Sequence, residues 1–154
     1  MRHLALISIV AIAACGGGRA SNAPDLLPPE VTLKEIGVKN LGLMGGTLDA
    51  QVTIRNPNSA AIRGTGIVLS LDVQGHRFGT TEWMRGFELA GDSTTTFTVP
   101  VDFTWRTAGM AARNVLNYGD VRYAISGRTF ILLSGTIWRF PYVREGSVPL
   151  VRVP

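Results

Sequence analysis

Few side chains in this sequence could perform acid–base or nucleophilic chemistry. The chain has one cysteine, Cys15, and two histidines, of which only His76 lies beyond the first residues. A Ser-His-Asp site would have to use His76, which directly follows a Gln-Gly pair typical of a hairpin turn and is poorly placed to act as a base. So few thiols and imidazoles also exclude a closed zinc site or an intrachain disulfide.

The acidic residues do not form an obvious catalytic pair. Asp49, Asp72 and Asp102 lie at polar positions of alternating segments, where a solubilising role outweighs that of paired carboxylates. No glycine-rich phosphate motif lies between a predicted strand and a predicted helix. We therefore predict that the chain is not an enzyme and has no catalytic residue, metal site or cofactor.

The positive charge comes mostly from arginine. The formal net charge is +4, and 13 of the 15 basic residues are arginines spread along the chain rather than clustered, so nucleic acid is not an expected partner. Alternatively, five of these arginines could give the protein a weak attraction to anionic headgroups or polymers. Those arginines are Arg55, Arg63, Arg122, Arg128 and Arg139.

The N-terminus has the features of an export signal. Residues 1–14 combine an early arginine with an apolar run of 11 residues, too short for the ~20 that a membrane-spanning helix needs. Ile12-Ala13-Ala14-Cys15 resembles the lipobox of bacterial lipoproteins, which implies cleavage before Cys15 and lipid attachment to its sulfur. The alternative is an ordinary signal peptide followed by an incidental cysteine.

A glycine- and proline-rich stretch follows the lipobox. We predict that residues 15–30 are the lipidated cysteine and a flexible tether, and that residues 31–154 are the folded domain. By resemblance to lipoprotein sorting signals, Gly16 after the cysteine favours the outer membrane. The expected location is the cell envelope, on the periplasmic face of the outer membrane where the envelope has two membranes.

The remaining sequence must fold mostly as strands. Apolar residues occupy every second position from Leu48 to Ile54, and the alternate positions are polar, which predicts a half-buried strand. The same alternation recurs at 67–73, 97–103 and 121–125, and weaker strand candidates are 31–39, 76–83, 130–138 and 147–151. Residues Thr107–Asn117 have helical spacing instead. The predicted fold is mainly β, an antiparallel immunoglobulin- or fibronectin type III-like β-sandwich with one short inserted helix.

Several ordered motifs resemble one family. They are Val52-Thr53-Ile54-Arg55-Asn56-Pro57-Asn58, Leu71-Asp72-Val73-Gln74-Gly75, Gly91-Asp92-Ser93 with Val99-Pro100-Val101, Val121-Arg122-Tyr123-Ala124-Ile125-Ser126-Gly127, and Phe140-Pro141 with Gly146-Ser147-Val148-Pro149-Leu150. Together, over about residues 31–150, they resemble the late embryogenesis abundant (LEA) type 2, or water stress and hypersensitive response (WHy), domain. The resemblance implies a fibronectin-like sandwich with one helix and a role in desiccation or stress tolerance.

Two proline motifs have structural meanings of their own. Pro57 lacks an amide donor and lies between two asparagines, so this triplet predicts the end of a strand and a fixed turn. Asn56 and Asn58 are also candidates for a contact surface. Pro100, inside an alternating run, predicts an edge strand or a bulge.

Three functions are compatible with these observations. The favoured one is a non-enzymatic, membrane-anchored envelope lipoprotein that acts by binding or contact in stress tolerance. The alternatives are a carrier of lipid or small apolar ligands and an accessory subunit of an envelope complex, which would use a strand edge near Pro100. The expected partners are the membrane, through the N-terminal lipid, and envelope proteins or lipids.

Overall fold

The computed structural model describes residues 25–109, 112, 116 and 119–154, and these form a mainly β domain. Cys15 and the predicted signal peptide lie outside the described residues. The elements are β1 (Glu30–Lys39), β2 (Gly45–Arg55), β3 (Ile62–Val73), β4 (His76–Trp83), β5 (Phe87–Leu89), β6 (Thr94–Thr104), α1 (Trp105–Ala108), β7 (Gly119–Leu133) and β8 (Thr136–Arg152).

The strands belong to one sheet. Its order is β4-β3-β7-β8-β1-β2-β6, and the short β5 pairs with β3 beside β4. Every pairing is antiparallel except that of β1 with β8, which is parallel. Pro100 lies in β6, the last strand of this path, which confirms the prediction of an edge strand.

The predicted sandwich of separate antiparallel sheets is not confirmed. The parallel pairing of Ile36–Val38 with Leu150–Arg152 joins the two halves of the domain into a single sheet. Its terminal strands, β4 and β6, pack against each other, so the sheet curls into a nearly closed barrel. Alternation alone cannot distinguish a second sheet from the far wall of a curved one, because both bury the same positions.

The predicted faces of the strands are confirmed. Leu48, Ala50, Val52 and Ile54 have no exposed surface, and the residues between them are at least partly exposed. Ile67, Leu69, Leu71 and Val73 are likewise buried, whereas Phe97 and Tyr123, at inward positions of β6 and β7, are only partly buried. The core therefore lies inside the curved sheet, where burial of these side chains stabilises the fold by about 1.5–3 kcal/mol each.

The region after Gly127 differs from the prediction. Residues 130–138 were expected to form one strand, but Ser134 and Gly135 form a tight turn between β7 and β8, with φ values of 48° and 80°. Positive φ at both central residues is typical of the hairpin turn that matches strand twist. Ser-Gly is such a turn signal, and the apolar residues on both sides of it obscured it.

The helix is shorter and earlier than expected. Thr104 caps α1 in a capping box with Thr107, and the helix ends at Gly109, whose φ is 86°. Only the first two residues of the predicted helix, Thr107 and Ala108, lie in α1. Most of the predicted segment beyond Gly109 lies outside the described residues.

Candidate functional site

The line where β4 meets β6 is the structural feature best suited to admit a ligand. We call this contact the seam. No strand pairing joins β4 to β6 among the described residues, although the two strands pack together. A Cβ atom at Gly79 would lie 3.0 Å from the carbonyl oxygen of Asp102 and 3.1 Å from a methyl of Val101, so a small residue is needed where the backbones approach.

Aromatic side chains fill both ends of the seam. At one end, the ring of Phe103 makes edge contacts with Phe78 and Trp105, at centroid distances of 4.9 and 5.0 Å. At the other end, Phe97 lies 5.2 Å from Trp83 and 5.0 Å from Phe87. Offset and edge contacts of this kind stabilise each pair by about 0.5–1.5 kcal/mol beyond area burial. The seam is thus closed by side-chain packing rather than by backbone hydrogen bonds.

A cleft opens at the α1 end of the seam. Its volume is about 460 Å³, within the range of small-molecule sites, and it is lined by Arg77–Thr80, Asp102–Thr104 and Thr107. The lining combines Phe78 and Phe103 with Arg77, Asp102 and three threonines. Because β4 covers the free edge of β6, strand addition near Pro100 would require the seam to open.

The three aspartates considered as candidates do not converge on a reaction site. Asp49 lies 4.0 Å from the ammonium of Lys39, Asp72 forms an ion pair with Arg77, and Asp102 accepts a hydrogen bond at 2.6 Å from a threonine hydroxyl of β2. The hydrogen bond with Asp72 raises the pKa of Arg77 further, which leaves this group cationic. The described residues contain no group of three or more potential metal ligands.

His76 lies where the sequence places it, beside a hairpin turn. Gln74 and Gly75 have φ values of 51° and 81°, and Val73 pairs with His76 across the turn. The imidazole is partly exposed. This position is consistent with a turn residue.

Asn56 lies in the interior, although it was a candidate for a contact surface. It has no exposed surface, and its side-chain amide donates to the carbonyl oxygens of Ala60 at 2.8 Å and Ala90 at 3.0 Å. Its side-chain oxygen accepts from the backbone and side-chain amides of Asn58, at 3.0 and 2.9 Å. Asn56 therefore connects the end of β2 to the loop after β5, a structural role inside the fold.

Asn58 holds the chain that precedes β1. Its side-chain oxygen accepts from the backbone amide of Leu27 at 2.8 Å, and its amide donates to the carbonyl oxygen of Leu27 at 3.0 Å. Pro29 is buried, and Leu26 packs against the core. The last residues of the predicted tether therefore contact the domain through Leu26, Leu27 and Pro29.

Tyr142 and Gly127 join three strands, a role that the sequence analysis missed. The phenol of Tyr142 crosses Gly127 and donates to the carbonyl oxygen of Val68 at 2.7 Å. Burial raises the pKa of Tyr142 well above its ordinary value. A side chain on Gly127 would collide with the same carbonyl oxygen and approach the phenol. Gly127 ends the sequence motif Val121–Gly127, but only the strand register shows that the side chain of Tyr142 crosses it.

Three of the five candidate arginines have polar partners on neighbouring strands or turns. Arg55 pairs with Glu30 and Arg63 with Glu88, both at 3.2 Å, and Arg122 donates to the side chain of Gln74 at 3.3 Å. Arg128 and Arg139 are exposed on β7 and β8. Exposed ion pairs such as these contribute little stability.

No helix within the described part of the chain is long and apolar enough to cross a membrane.

The comparisons with known proteins agree with the sequence motifs. A family model described as late embryogenesis abundant protein matches residues 51–145, from β2 into β8. The fold is similar to that of an Arabidopsis thaliana protein solved in solution, with a TM-score of 0.61 and 19% identity, over 86% of this chain and 90% of that chain. A second solution structure, described as a late embryogenesis abundant protein, has a TM-score of 0.54 and 20% identity, over 80% of this chain and 72% of that chain.

A search of curated protein sequences finds no match. At this identity, the structural likeness supports the fold alone, whereas the family model covers more than half of the sequence. The chain belongs to the late embryogenesis abundant family.

Proposed function

We propose that this chain protects cells during desiccation or related stress as a non-enzymatic LEA type 2, or WHy-type, envelope lipoprotein that acts by contact with other molecules. The observation that carries the proposal is the family match over residues 51–145. Asp49 and Asp72 are each paired with a cation, and Asp102 accepts a hydrogen bond from a threonine hydroxyl. A role that depends on the folded surface rather than on one reactive group fits this arrangement.

The anchoring part of the proposal rests on Cys15. Lipid attached at Cys15 would hold the domain on a membrane, since two or more acyl chains give stable anchoring whereas one chain does not. Because Leu26 packs against the core and Leu27 is held by Asn58, the tether would end at residue 25. Ten residues, 16–25, would extend at most ~35 Å, so the domain would remain close to the anchoring membrane.

The anchoring experiment compares the native chain with Cys15→Ser. We expect the native chain to incorporate labelled fatty acid and to begin at Cys15 after processing, and the variant to incorporate none. A native chain that takes up no label, or that has a different mature N-terminus, would exclude the lipoprotein assignment.

The protective role is tested by deletion and rescue under drying. Cells that lack the chain should survive drying less well, and His76→Ala should restore survival. Val52→Asp, which places a charge in the core, should not restore it, whereas the matched surface variant Thr53→Asp should. Failure of His76→Ala to rescue while the domain stays folded would contradict a non-enzymatic role, and unchanged survival after deletion would contradict the stress role.

A second candidate function, carriage of a lipid or small apolar ligand, is favoured by the seam. A cleft lined in part by Phe78 and Phe103 lies where aromatic packing, rather than a backbone ladder, joins β4 to β6, so an apolar chain could enter without breaking strand pairs. Mass spectrometry of the purified protein should then detect bound lipid. Ala50→Trp, which fills the interior, should abolish it, while Thr53→Trp on the outer side should not. Purified protein without lipid would eliminate this candidate.

A further inference from the structure

The loop between β1 and β2 presents three apolar side chains to solvent. Leu41, Leu43 and Met44 are 50%, 87% and 82% exposed. We call this group the apolar tip. Single exposed apolar residues are ordinary, but three within four positions at the end of a domain indicate a contact site.

The backbone of the apolar tip is held in place by hydrogen bonds. The amide of Gly42 donates to the carbonyl oxygen of Gly45 at 2.7 Å. Trp105 makes two bonds to the same loop, from its backbone amide to Met44 at 3.0 Å and from its indole nitrogen to Gly42 at 2.9 Å. The amide of Gly42 and the carbonyl oxygens of Gly42, Met44 and Gly45 thus have partners within the protein, which lowers the cost of moving these groups into an apolar medium.

Positive charge flanks the apolar tip. Arg106 follows the anchoring Trp105 and is exposed. Lys39 immediately precedes the loop, with its side chain 46% exposed and its ammonium 4.0 Å from the carboxylate of Asp49. The loop itself, residues 40–46, contains no acidic residue. Aliphatic side chains beside cations match the boundary between acyl chains and anionic headgroups.

We infer that the apolar tip inserts into the surface of an anionic phospholipid bilayer. A projecting tip of three side chains offers far less area than the ~800 Å² per partner that a stable protein interface buries. It suits shallow insertion into lipid. This inference goes beyond the proposed function because it does not require lipid on Cys15.

The position of the apolar tip makes it a separate contact from the tether. β1 begins at Glu30, next to the segment held by Asn58, and ends at Lys39, so its ten residues place the tip ~30 Å from the point where the tether enters. A chain anchored by its N-terminus could bring this end to the anchoring bilayer by turning over on its tether, or could bring it to a second surface.

The chain's single cysteine permits a test that reads the position of the tip directly. In full-length chain carrying Cys15→Ser, Leu43→Cys provides the only thiol for an environment-sensitive fluorophore, and Val143→Cys, at a site 64% exposed on β8, is the control. Vesicles of phosphatidylglycerol and phosphatidylcholine in equal parts should shift the emission of the label at 43 to shorter wavelength and leave that at 143 unchanged. An unshifted label at 43, or equal shifts at both sites, would overturn the inference.

A partition measurement adds a second readout. Leu43→Ser with Met44→Ser should lower partition into the same vesicles by at least about tenfold, whereas Ile137→Ser with Val143→Ser should not. Thermal unfolding should show that both pairs remain folded, as expected for exposed positions. Equal losses of partition for the two pairs of substitutions would overturn the inference. Equal partition of the native chain into vesicles of phosphatidylcholine alone would overturn the assignment to an anionic surface.

Discussion

Asn56 directly follows the end of β2. Replacing it by alanine should destabilise the domain severely. The substitution removes the donors for the carbonyl oxygens of Ala60 and Ala90, and the acceptor for the backbone amide of Asn58. Leaving a buried polar group without a partner costs about 1–3 kcal/mol. The carbonyl oxygen of Ala90 still accepts from the amide and hydroxyl of Ser93. The other two groups are partly buried, so their losses sum to about 2–4 kcal/mol, a large fraction of the ~5–15 kcal/mol typical of a whole domain.

Asn56→Asp separates hydrogen bonding from packing. The carboxylate has nearly the shape of the amide but would place an oxygen against carbonyl oxygens that now lie 2.8 to 3.3 Å from the amide nitrogen. We expect a loss at neutral pH at least equal to that of Asn56→Ala. Burial and the facing carbonyls would raise the folded-state pKa of this carboxyl above its unfolded value of about 3.9. The penalty relative to the native chain should therefore shrink as the pH falls through the raised folded value.

Urea unfolding followed by circular dichroism measures both variants. Asn40→Asp, at an exposed loop asparagine, is the matched control and should change stability by less than about 0.5 kcal/mol. A loss below about 1 kcal/mol for Asn56→Ala, with an unchanged denaturant slope, would refute the reasoning. Native stability in Asn56→Asp at neutral pH would refute it as well.

Three further predictions concern the core and the strand crossing. Val52→Asp should lower the free energy of unfolding by at least about 4 kcal/mol, because it buries an unpaired charge. Thr53→Asp should lower it by less than about 1 kcal/mol, and equal losses in thermal melts would contradict the assigned strand faces. Because burial raises the pKa of Tyr142, its contribution to stability should be complete below the unfolded value of about 10 and decline as the pH rises above it; Tyr142→Phe should lack this decline. Gly127→Ala should cost several kcal/mol, measured by urea unfolding, because its methyl group would collide with the backbone of β3, and a cost near zero would mean that the strands are not held this close.

Local patterns in the sequence determined the strands and their faces. Alternation placed Val52 inward and Thr53 outward, Gln74-Gly75 predicted a hairpin, and Pro100 predicted an edge strand; the structure confirms each. These features could be predicted because they depend on a few consecutive residues. The side-chain period of a strand and the φ values of a turn are local properties of the chain.

The hairpin between β7 and β8 marks the limit of such patterns. Ser134-Gly135 lies between apolar residues that continue the alternation on both sides, so periodicity suggested one strand where the chain reverses. Local preferences compete at such points, and tertiary packing decides between them.

Only the tertiary structure decided how the strands assemble and what their contacts create. The parallel pairing of β1 with β8 closes the curved sheet, and that closure brings β4 to β6 and forms the seam. It also buries Asn56 among carbonyl oxygens from a distant loop and places Trp105 beneath the apolar tip. These contacts join residues 34 and 63 positions apart in the sequence. A periodic pattern carries no information about partners at such separation, because each strand face is equally buried by any apolar surface that covers it.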